Sequence, residues 1–458
     1  MTKNSVTVIG GGLAGCEAAW QLAKRGVPVT LYEMKPRKRS PAHKLDTLAE
    51  LVCSNSLRGD RLVNAVGLLK AEMRKLDSII LRSADATAVP AGGALAVDRV
   101  GFSETVDASI RRHPLITIIE EECADIPGKG TVIIATGPLT SESLSERIAN
   151  MEGLKTLHFY DAAAPIVTYE SLDLGKVFAM SRYDRGADYL NCPMNREEYM
   201  AFIEALKTAQ TVEVRDFEEK AVFEGCMPIE SMAKRGDLAV AFGPLKPVGL
   251  SDPRTGKRPF AVVQLRQDNA AATLYNLVGF QTRLTFPEQR RVFGMIPGLE
   301  NAEFARYGVM HRNTFLQSPG YLDDTYRVIS QPRLYFAGQI TGVEGYVESA
   351  ASGLVAGLSA AYRACGLPPP HFGGQTAIGA MARYVSAPNS RFQPMNCAFG
   401  LLDALETEPG AKRLKNKQQR YERLAQRSLA HLDRLIGQME RDFPTTGNEC
   451  AMISTKEV

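Results

Sequence analysis

Residues 6–33, VTVIGGGLAGCEAAWQLAKRGVPVTLYE, decide the fold of this chain. Val6–Ile9 is a short apolar run rich in β-branched residues, which predicts a buried parallel strand. Residues 13–25 are rich in alanine and predict a helix that ends at Gly26, and residues 27–32 predict a second strand. This order of strand, helix and strand predicts the first unit of a doubly wound parallel sheet.

Glycines follow the first strand with the spacing G-x-G-x-x-G. Gly10 allows a tight turn, Gly12 lets a pyrophosphate approach the backbone, and Gly15 lets the helix pack closely on the strand. The helix N-terminus offers N–H groups and the positive end of its dipole to phosphates. Glu33, at the end of the second strand, can accept a hydrogen bond from a ribose hydroxyl. The segment predicts a dinucleotide site, with contacts from Gly10, Gly11, Gly12, Leu13, Ala14, Gly15 and Glu33.

Length, composition and charge narrow the class of protein. The 458 residues are enough for two or more domains, and a hydrophobic content of 45% with 23% charged residues is typical of soluble globular proteins. Because the net charge is only +3, a nucleic-acid surface would have to be a local basic patch. No apolar run approaches the ~20 residues of a membrane span, and the N-terminus enters the first strand without room for a signal peptide. We therefore expect a cytoplasmic protein.

The eight cysteines are scattered, and none forms the C-x-x-C pair typical of zinc or iron–sulfur sites, so we expect no metal. Two of them lie in segments that favour loops. Cys53 precedes the polar residues 54–56, and Cys226 lies between Gly225 and Pro228. A partly exposed thiol in such a loop can be reactive, whereas a buried packing cysteine is the alternative at both positions.

Two further glycine-rich segments predict contacts to the same cofactor. Residues 131–137, TVIIATG, predict a buried strand that ends close to a bulky ligand. Residues 333–357, RLYFAGQITGVEGYVESAASGLVAG, predict a strand, a glycine-rich loop and a helix from Tyr346. The N-terminus of such a helix can face a flavin ring and stabilise the anion of its reduced form. The predicted contacts are Ala135, Thr136, Gly137, Gly338, Gln339, Gly342, Gly345 and Tyr346.

These segments predict an α/β fold, a Rossmann-like FAD-binding domain of the glutathione-reductase type that is interrupted by a smaller α+β insertion domain. The expected domains are residues 1–185 as the first part of the FAD-binding domain, 186–305 as the insertion, and 306–458 as the second part with a C-terminal helix. Acidic residues are few between positions 239 and 287, while basic residues are clustered there. This charge pattern favours an anionic partner for the insertion.

Taken together, the segments resemble the bacterial family of flavin- and folate-dependent tRNA (uracil-5-)-methyltransferases. The resemblance runs from about residue 5 to residue 440, and the two cysteine segments are its specific part. It rests on VIGGGLAGCEAAWQLA, PAHKLDTLAELVCSNSLRGD, PAGGALAVDR, EGCMPIESMA, GPLKPVGL, VVQLRQDN and YFAGQITGVEGYVESAASG.

The resemblance implies methylation of C5 of a T-loop uridine in tRNA, at position 54 of the tRNA. The implied carbon donor is 5,10-methylenetetrahydrofolate, with reduced FAD as methylene carrier and NADPH or NADH as the source of electrons. Cys226 would add to C6 of the uracil, and Cys53 would remove the C5 proton or protect the flavin, although the two roles could be exchanged. The implied partners are the T-arm of tRNA and these small molecules, without a membrane, a metal or an obligatory protein partner.

Three alternative functions stay open at this point. The same chemistry could act on a uridine of ribosomal RNA. A flavin-dependent wobble-uridine tRNA-modifying subunit shares the glycine motif and GCEAA, but it should be longer and would not explain both cysteine segments. A flavin-bound RNA-binding protein without catalysis would tolerate alanine at both Cys53 and Cys226. A disulfide reductase is disfavoured because no C-x-x-x-x-C pair follows the first glycine motif.

Overall fold

The computed structural model describes residues 5–40, 42–154, 156–162, 164–212, 227–390, 392–405 and 416–443. Within these ranges the strands are β1 (Val6–Ile9), β2 (Val29–Tyr32), β3 (Ser56–Gly59), β4 (Ala88–Val89), β5 (Ala94–Val97), β6 (Ile116–Ile119), β7 (Thr131–Ile134), β8 (Thr156–Ala162), β9 (Ile166–Thr168), β10 (Phe178–Ala179), β11 (Tyr189–Met194), β12 (Ala261–Gln267), β13 (Leu274–Leu277), β14 (Phe304–Arg306), β15 (Met310–Leu316) and β16 (Leu334–Phe336). The α-helices are α1 (Leu13–Lys24), α2 (Ala65–Lys75), α3 (Ile79–Ala86), α4 (Arg99–Arg112), α5 (Glu142–Ala149), α6 (Arg196–Thr208), α7 (Ile229–Lys234), α8 (Ala239–Phe242), α9 (Phe286–Phe293), α10 (Tyr346–Ala364), α11 (Ala377–Ser386) and α12 (Lys417–Asp442).

A five-stranded sheet in the order β16-β7-β1-β2-β6 forms the centre of the first unit, and all its neighbouring strands are parallel. Val6 and Val8 of β1 are buried, as expected for the central strand of a sheet with both faces covered. Because the strands are parallel, their carboxyl ends meet at one edge, where Gly10, Glu33 and Ala135 follow them. The predicted Rossmann-like α/β fold is confirmed.

Helices α1 and α10 pack directly against each other although more than 300 residues separate them. Glycines of α10 make this close approach possible. A Cβ atom on Gly353 would lie 2.1 Å from the carbonyl oxygen of Ala14, and one on Gly357 would lie 2.6 Å from that of Ala18. The two glycine-rich segments predicted to contact one cofactor are therefore brought together by helix packing.

A second, antiparallel sheet in the order β10-β11-β12-β13-β9-β14 spans Ile166 to Arg306. One of its faces packs in an apolar cluster with residues of α6 and α9, including Phe202 and Phe293. Strands β9 and β10 belong to this sheet although they precede residue 186, the predicted start of the insertion. The domain boundaries drawn from the sequence stay a prediction. Strands β8 and β15 pair with each other, so the chain enters and leaves this region side by side.

The C-terminal helix α12 packs on the main core, where Leu424, Leu432 and Met439 are buried, as its predicted apolar stripe indicated. The sequence of residues 62–83 by itself predicts one helix, but the chain breaks between α2 and α3. Asp77 has a φ of +56°, and the Ser78 side chain accepts a hydrogen bond from the N–H of Leu81 to cap the second helix. Among the helices in the described ranges, none is long and apolar enough to cross a membrane.

Candidate active site

The glycine loop between β1 and α1 has the geometry expected from its spacing. Gly10 has a φ of +101°, which a residue with a side chain rarely adopts. A Cβ atom on Gly15 would lie 1.8 Å from the carbonyl oxygen of Gly10, so only glycine allows the helix to pack there. The position of a Cβ on Gly12 has no atom within 4 Å. The backbone at Gly12 is therefore accessible to a phosphate at the N-terminus of α1.

Glu33 lies at the end of β2 and faces this loop. Its two carboxylate oxygens accept hydrogen bonds from the N–H groups of Gly11, at 2.9 Å, and Lys35, at 3.0 Å. The side chain is largely buried, and these bonds fix its position beside the glycine loop. A carboxylate held there can also accept a bond from a ribose hydroxyl, since each oxygen has more than one lone pair.

A cleft of about 620 Å³ opens at the carboxyl edge of the parallel sheet. Its walls come from the ends of β1, β2 and β7 and from the segment after β7. Six of the predicted cofactor contacts line it: Gly10, Gly11, Gly12, Glu33, Ala135 and Thr136. Gly137, which has a φ of +68°, continues the chain from Thr136 into a short 3-10 turn. The position, the accessible backbone and the carboxylate fit the adenosine and pyrophosphate of FAD.

The second glycine-rich segment lies over the beginning of α1. A Cβ atom on Gly338 would lie 3.1 Å from the Cβ of Ala14, and the N–H of Gly338 donates to the Ser352 hydroxyl at 2.6 Å. Gly338, Gly342 and Gly345 all have positive φ values, of +88°, +86° and +110°. The loop thereby turns sharply enough to lead from β16 into α10, whose Gly353 lies beside Ala14 in the first turn of α1.

Tyr346, the first residue of α10, contacts the loop that carries Cys53. We call residues 51–55 the thiol loop. The Tyr346 hydroxyl lies 3.0 Å from the Cys53 sulfur and accepts the backbone N–H of Cys53 at 2.8 Å and that of Ser54 at 3.3 Å. Burial, and then the nearby Cys53 thiol, raise the pKa of Tyr346 well above its usual value. The hydroxyl therefore keeps its proton and can donate it to the Cys53 sulfur.

Two arginines from the antiparallel sheet bind the thiol loop on either side of Cys53. Arg266 of β12 donates to the Ser54 hydroxyl at 2.8 Å and to the Asn55 side chain at 2.9 Å. Arg306 of β14 donates to the carbonyl oxygen of Val52. Charge-assisted bonds of this kind are stronger than neutral ones, so the sheet fixes the loop in position.

A third arginine binds the same loop from the parallel-sheet unit. Arg99, at the start of α4, donates to the carbonyl of Leu51 and forms an ion pair with Asp268 at 2.9 Å. Burial and the charge of Arg99 lower the pKa of Arg306, and burial and the charge of Arg306 lower the pKa of Lys44. We call Arg99, Arg266 and Arg306 the arginine clamp. Such a concentration of positive charge favours an anion, and a thiolate is one that the loop itself can supply.

Cys226 lies outside the described residues, as do residues 213–225 before it. The chain on both sides of this segment is attached to one stretch. The N–H of Val212 donates to the carbonyl of Arg283, and that of Ile229 donates to the carbonyl of Gln281, each at 2.8 Å. The segment that carries Cys226 thus begins and ends beside residues 281–283.

The remaining predicted contacts occupy structural positions near the cleft. Leu13, Ala14 and Gly15 form the first turn of α1, and all three residues are buried. Gln339 donates to Glu344 at 2.7 Å within the second glycine-rich segment. In the described ranges, no group of three or more His, Cys, Asp or Glu residues is arranged to hold a metal ion.

Sequence reasoning missed the arginine clamp. Arg266 lies in the basic segment 239–287, for which the sequence predicts an anionic partner, and Arg99 and Arg306 belong to no predicted site. A signal was nevertheless present in β12, where Gln264 and Arg266 alternate with the apolar Val263 and Leu265 in a buried strand. Polar side chains with a period of two on a buried strand indicate a second, polar face that contacts something other than a hydrophobic core.

Comparisons with known proteins agree with this geometry. The family model described as "Glucose inhibited division protein A" matches residues 5–368. Two solved structures of Aquifex aeolicus GidA, in crystal forms II and I, superpose with TM-scores of 0.66 and 0.64 at 18% identity, covering 96% of this chain and 77% and 78% of theirs. At this identity the likeness supports the fold alone.

Sequence relatives are much closer and extend over nearly the full length. The chain is 61% identical over 431 residues to the methylenetetrahydrofolate--tRNA-(uracil-5-)-methyltransferase TrmFO of Enterococcus faecalis, covering 94% of this chain and 98% of the relative. It is 60% identical over 413 residues to the protein of the same name from Acetivibrio thermocellus, covering 90% and 95%. With a GidA-type fold and such full-length identity, the chain belongs to the methylenetetrahydrofolate--tRNA-(uracil-5-)-methyltransferase TrmFO family.

Proposed function

We propose that this protein methylates C5 of a T-loop uridine in tRNA, at position 54 of the tRNA, with 5,10-methylenetetrahydrofolate as the carbon donor. FAD, when bound, supplies the reduced carrier of the one-carbon unit and the electrons that convert it to a methyl group, and NADPH or NADH restores the reduced form. The proposed substrates and reductant place the reaction in the cytoplasm. The proposal rests on the family names of the relatives and on the geometry of the site.

One observation carries the proposal: a cysteine side chain contacts the side chain of Tyr346, the first residue of the helix that is predicted to face the flavin. The Cys53 sulfur contacts the Tyr346 hydroxyl, and Tyr346 begins α10 directly after Gly345. A plain dinucleotide-binding fold does not require a thiol there. Methylation at C5 requires both a nucleophile that adds to C6 and a base that accepts the C5 proton, and a thiol at this place can serve as that base.

The residues of the site have distinct proposed roles. Gly12 and the first turn of α1 bind the pyrophosphate, and Glu33 binds the ribose. Cys226 adds to C6 of uracil, Cys53 accepts the C5 proton after C5 has taken up the one-carbon unit, and the Cys226 thiolate leaves C6 so that the C5=C6 double bond is restored. Tyr346 and the arginine clamp hold Cys53 in position and stabilise its thiolate.

The domain division predicted from the sequence, with the insertion at residues 186–305, is part of this proposal. The insertion supplies Arg266 and Cys226, while the interrupted domain supplies Cys53 and Tyr346. The uridine would have to be extruded from its stack to reach a site formed between the two, as for other enzymes that act on a base.

The test is transfer of label from methylene-labelled 5,10-methylenetetrahydrofolate to tRNA that lacks the 5-methyl group, in the presence of FAD and NADPH. The label should appear in 5-methyluridine at position 54, and alanine at Cys53 or Cys226 should abolish it while FAD stays bound. Label that enters only ribosomal RNA would show that the substrate is ribosomal RNA and not tRNA. Label in a wobble uridine or in no RNA would overturn the proposal.

A tRNA that contains 5-fluorouridine tests the assignment of the two cysteines. Its C5 substituent cannot leave as a proton, so the covalent adduct should accumulate on Cys226. Proteolysis and mass spectrometry locate the adduct, and Cys53 lies in the tryptic peptide LDTLAELVCSNSLR, in which it is the sole cysteine. An adduct on Cys53 would exchange the two roles, and one on neither residue would remove the mechanism.

A further inference from the structure

Three aromatic rings near the edge of the antiparallel sheet stack on one another. The rings of Phe304 and Tyr307 are 5.0 Å apart with an interplanar angle of 13°, and those of Tyr307 and Phe286 are 4.6 Å apart at 18°. We call these three residues the aromatic ladder. Phe304 also packs against the buried Phe293, so the inner end of the ladder is anchored in the apolar cluster.

The outer end of the ladder is open to solvent. Phe286 is 52% exposed although one face of its ring lies against Tyr307. Its position is restricted because it is the first residue of α9 and is followed by Pro287. A large apolar ring held in a fixed, exposed orientation offers a flat surface on which another ring can stack.

The ladder adjoins a residue that binds the thiol loop. Tyr307 directly follows Arg306, whose guanidinium binds the carbonyl of Val52 in the thiol loop. Phe286 closely follows residues 281–283, to which the chain on both sides of the Cys226 segment is hydrogen-bonded. The ladder is therefore linked through Arg306 to the loop that carries Cys53.

The charge beside the ladder suits a nucleic acid. Arg290 donates to the Tyr307 hydroxyl at 2.7 Å, a contact with a neutral oxygen that leaves the arginine charge uncompensated at this point. Arg291 is paired with Glu288 at 2.6 Å, so this neighbouring pair adds no net charge. A stacking surface with an adjacent arginine is the combination by which proteins bind unpaired bases and their phosphates.

We propose that Phe286 is a stacking platform for an unpaired base of the RNA substrate. The inference rests on the proposed function for the presence of RNA, and it adds where one base is held. Every base has a planar face that can continue the ladder, and a loop from which one uridine has been extruded exposes such faces.

The test compares two exposed phenylalanines of the same region. Phe286→Ala removes the platform, and Phe242→Ala is the matched control, because Phe242 is 79% exposed at the end of α8. Affinity for an unmodified tRNA transcript is measured with the FAD-loaded protein. Phe286→Ala should weaken binding about fivefold to 100-fold, the range found for one base stacked on one ring. Phe242→Ala should bind as the wild type does.

Three further measurements separate stacking from other causes. The slope of log affinity against log salt should be unchanged in Phe286→Ala, because no phosphate contact is removed. The KM for tRNA should rise, whereas the KM for 5,10-methylenetetrahydrofolate should stay constant. Phe286→Trp should bind tRNA with the affinity of the wild type, because it keeps an aromatic ring. Phe286→Leu keeps an apolar side chain for the start of α9 but no ring, and its affinity should be as low as that of the alanine variant.

Equal affinity of Phe286→Ala and wild-type protein for tRNA would overturn the inference while leaving the proposed function intact. A selective rise in the KM for the folate would also overturn it, since the stacked ring would then be a pterin. A change of oligomeric state without a change of RNA affinity would assign the exposed ring to contact with a second copy of the chain. Failure of the wild-type protein to bind tRNA at all would instead contradict the proposed function.

Discussion

The two faces of strand β12 are both buried, yet they have opposite chemistry. Val263 and Leu265 point into the apolar cluster of the antiparallel sheet and are 0% exposed. Gln264 and Arg266 point to the other face and are almost as inaccessible, at 8% and 7%. The apolar face meets helices, whereas the polar face meets hydrogen-bonding groups.

The apolar face of β12 therefore contributes mainly to the stability of the sheet, whereas the polar face positions the thiol loop. Burial of Leu265 stabilises the sheet through the hydrophobic effect, which is indifferent to the orientation of the neighbouring groups. Burial of Arg266 is acceptable only because its guanidinium reaches defined partners in the thiol loop and on Asn276. Replacement of Leu265 should therefore lower the stability of the protein, whereas replacement of its neighbour Arg266 should lower the catalytic rate.

The largest effect on stability is expected from Leu265→Ala. Removing a buried leucine side chain leaves a cavity and should lower the free energy of unfolding by about 2–5 kcal/mol, measured by urea denaturation. The turnover per folded molecule should stay within about threefold of the wild type, because the polar face keeps its partners. A large loss of turnover without a loss of stability would break the distinction between the two faces.

A somewhat smaller effect, on catalysis, is expected from Arg266→Met. The substitution keeps much of the side-chain volume but removes the hydrogen bonds to Ser54 and Asn55. The thiol loop then loses two of the bonds that hold Cys53 in position. We expect a fall in kcat of about 100-fold, or about 2.7 kcal/mol, as for a misplacement of about 1 Å, measured at saturating tRNA and folate.

The matched control for this substitution is Arg182→Met. Arg182 contacts Gln264 on the same polar face but makes its other bonds to carbonyls of residues 246 and 248 rather than to the thiol loop. Flavin content should be normal in both variants, since the cleft for the adenosine is formed by other strands. Equal kcat values for the two variants would show that the polar face does not position Cys53.

The smallest effect concerns a buried carboxyl group remote from the thiol loop. Burial raises the pKa of Glu72 from 4.5 to about 7, and the group accepts the N–H bonds of Ala377 and Ile378 at the start of α11. Because the folded-state pKa lies above the unfolded value, the folded protein binds this proton more tightly. The stability that the group contributes is therefore greatest at low pH and is lost as the pH rises through about 7.

Glu72→Gln should remove that dependence. Between pH 5.5 and pH 7, the wild type should lose about 1.5 kcal/mol more stability than the variant, measured by unfolding at each pH. The kcat should not change, because Glu72 contacts helices of the core and not the site. Parallel plots of stability against pH for the two proteins would mean that Glu72 is already ionised throughout this range. That result would contradict a raised pKa for this carboxyl group.

Much of the parallel-sheet unit could be predicted from the sequence, because its signals are local. The bounds of β1 were predicted without error, and α1 ends one residue before the prediction. The glycines of the first loop occupy the positions that their spacing indicated. The break at Asp77 and Ser78 was missed, since the apolar pattern continues across it and only the backbone conformation interrupts the helix.

The arginine clamp could not be predicted because its members are far apart in the chain. Arg99, Arg266 and Arg306 come from a helix start and from two strands, and only the tertiary fold brings them to one loop. Two of them lie in segments that carried the family resemblance, PAGGALAVDR and VVQLRQDN. The resemblance thus marked these segments as important without revealing what their charged residues contact.

The pairing of β16 with β7 also has a consequence for synthesis on the ribosome. Every strand of the antiparallel sheet, which ends at Arg306, is translated before β16 begins at Leu334. Until then, one edge of β7 has no partner strand. Helix α1 also lacks its packing partner α10, which ends at Ala364. The antiparallel sheet is thus translated in full before the parallel sheet is complete, and the parallel sheet lacks its last strand while about 200 further residues are synthesised.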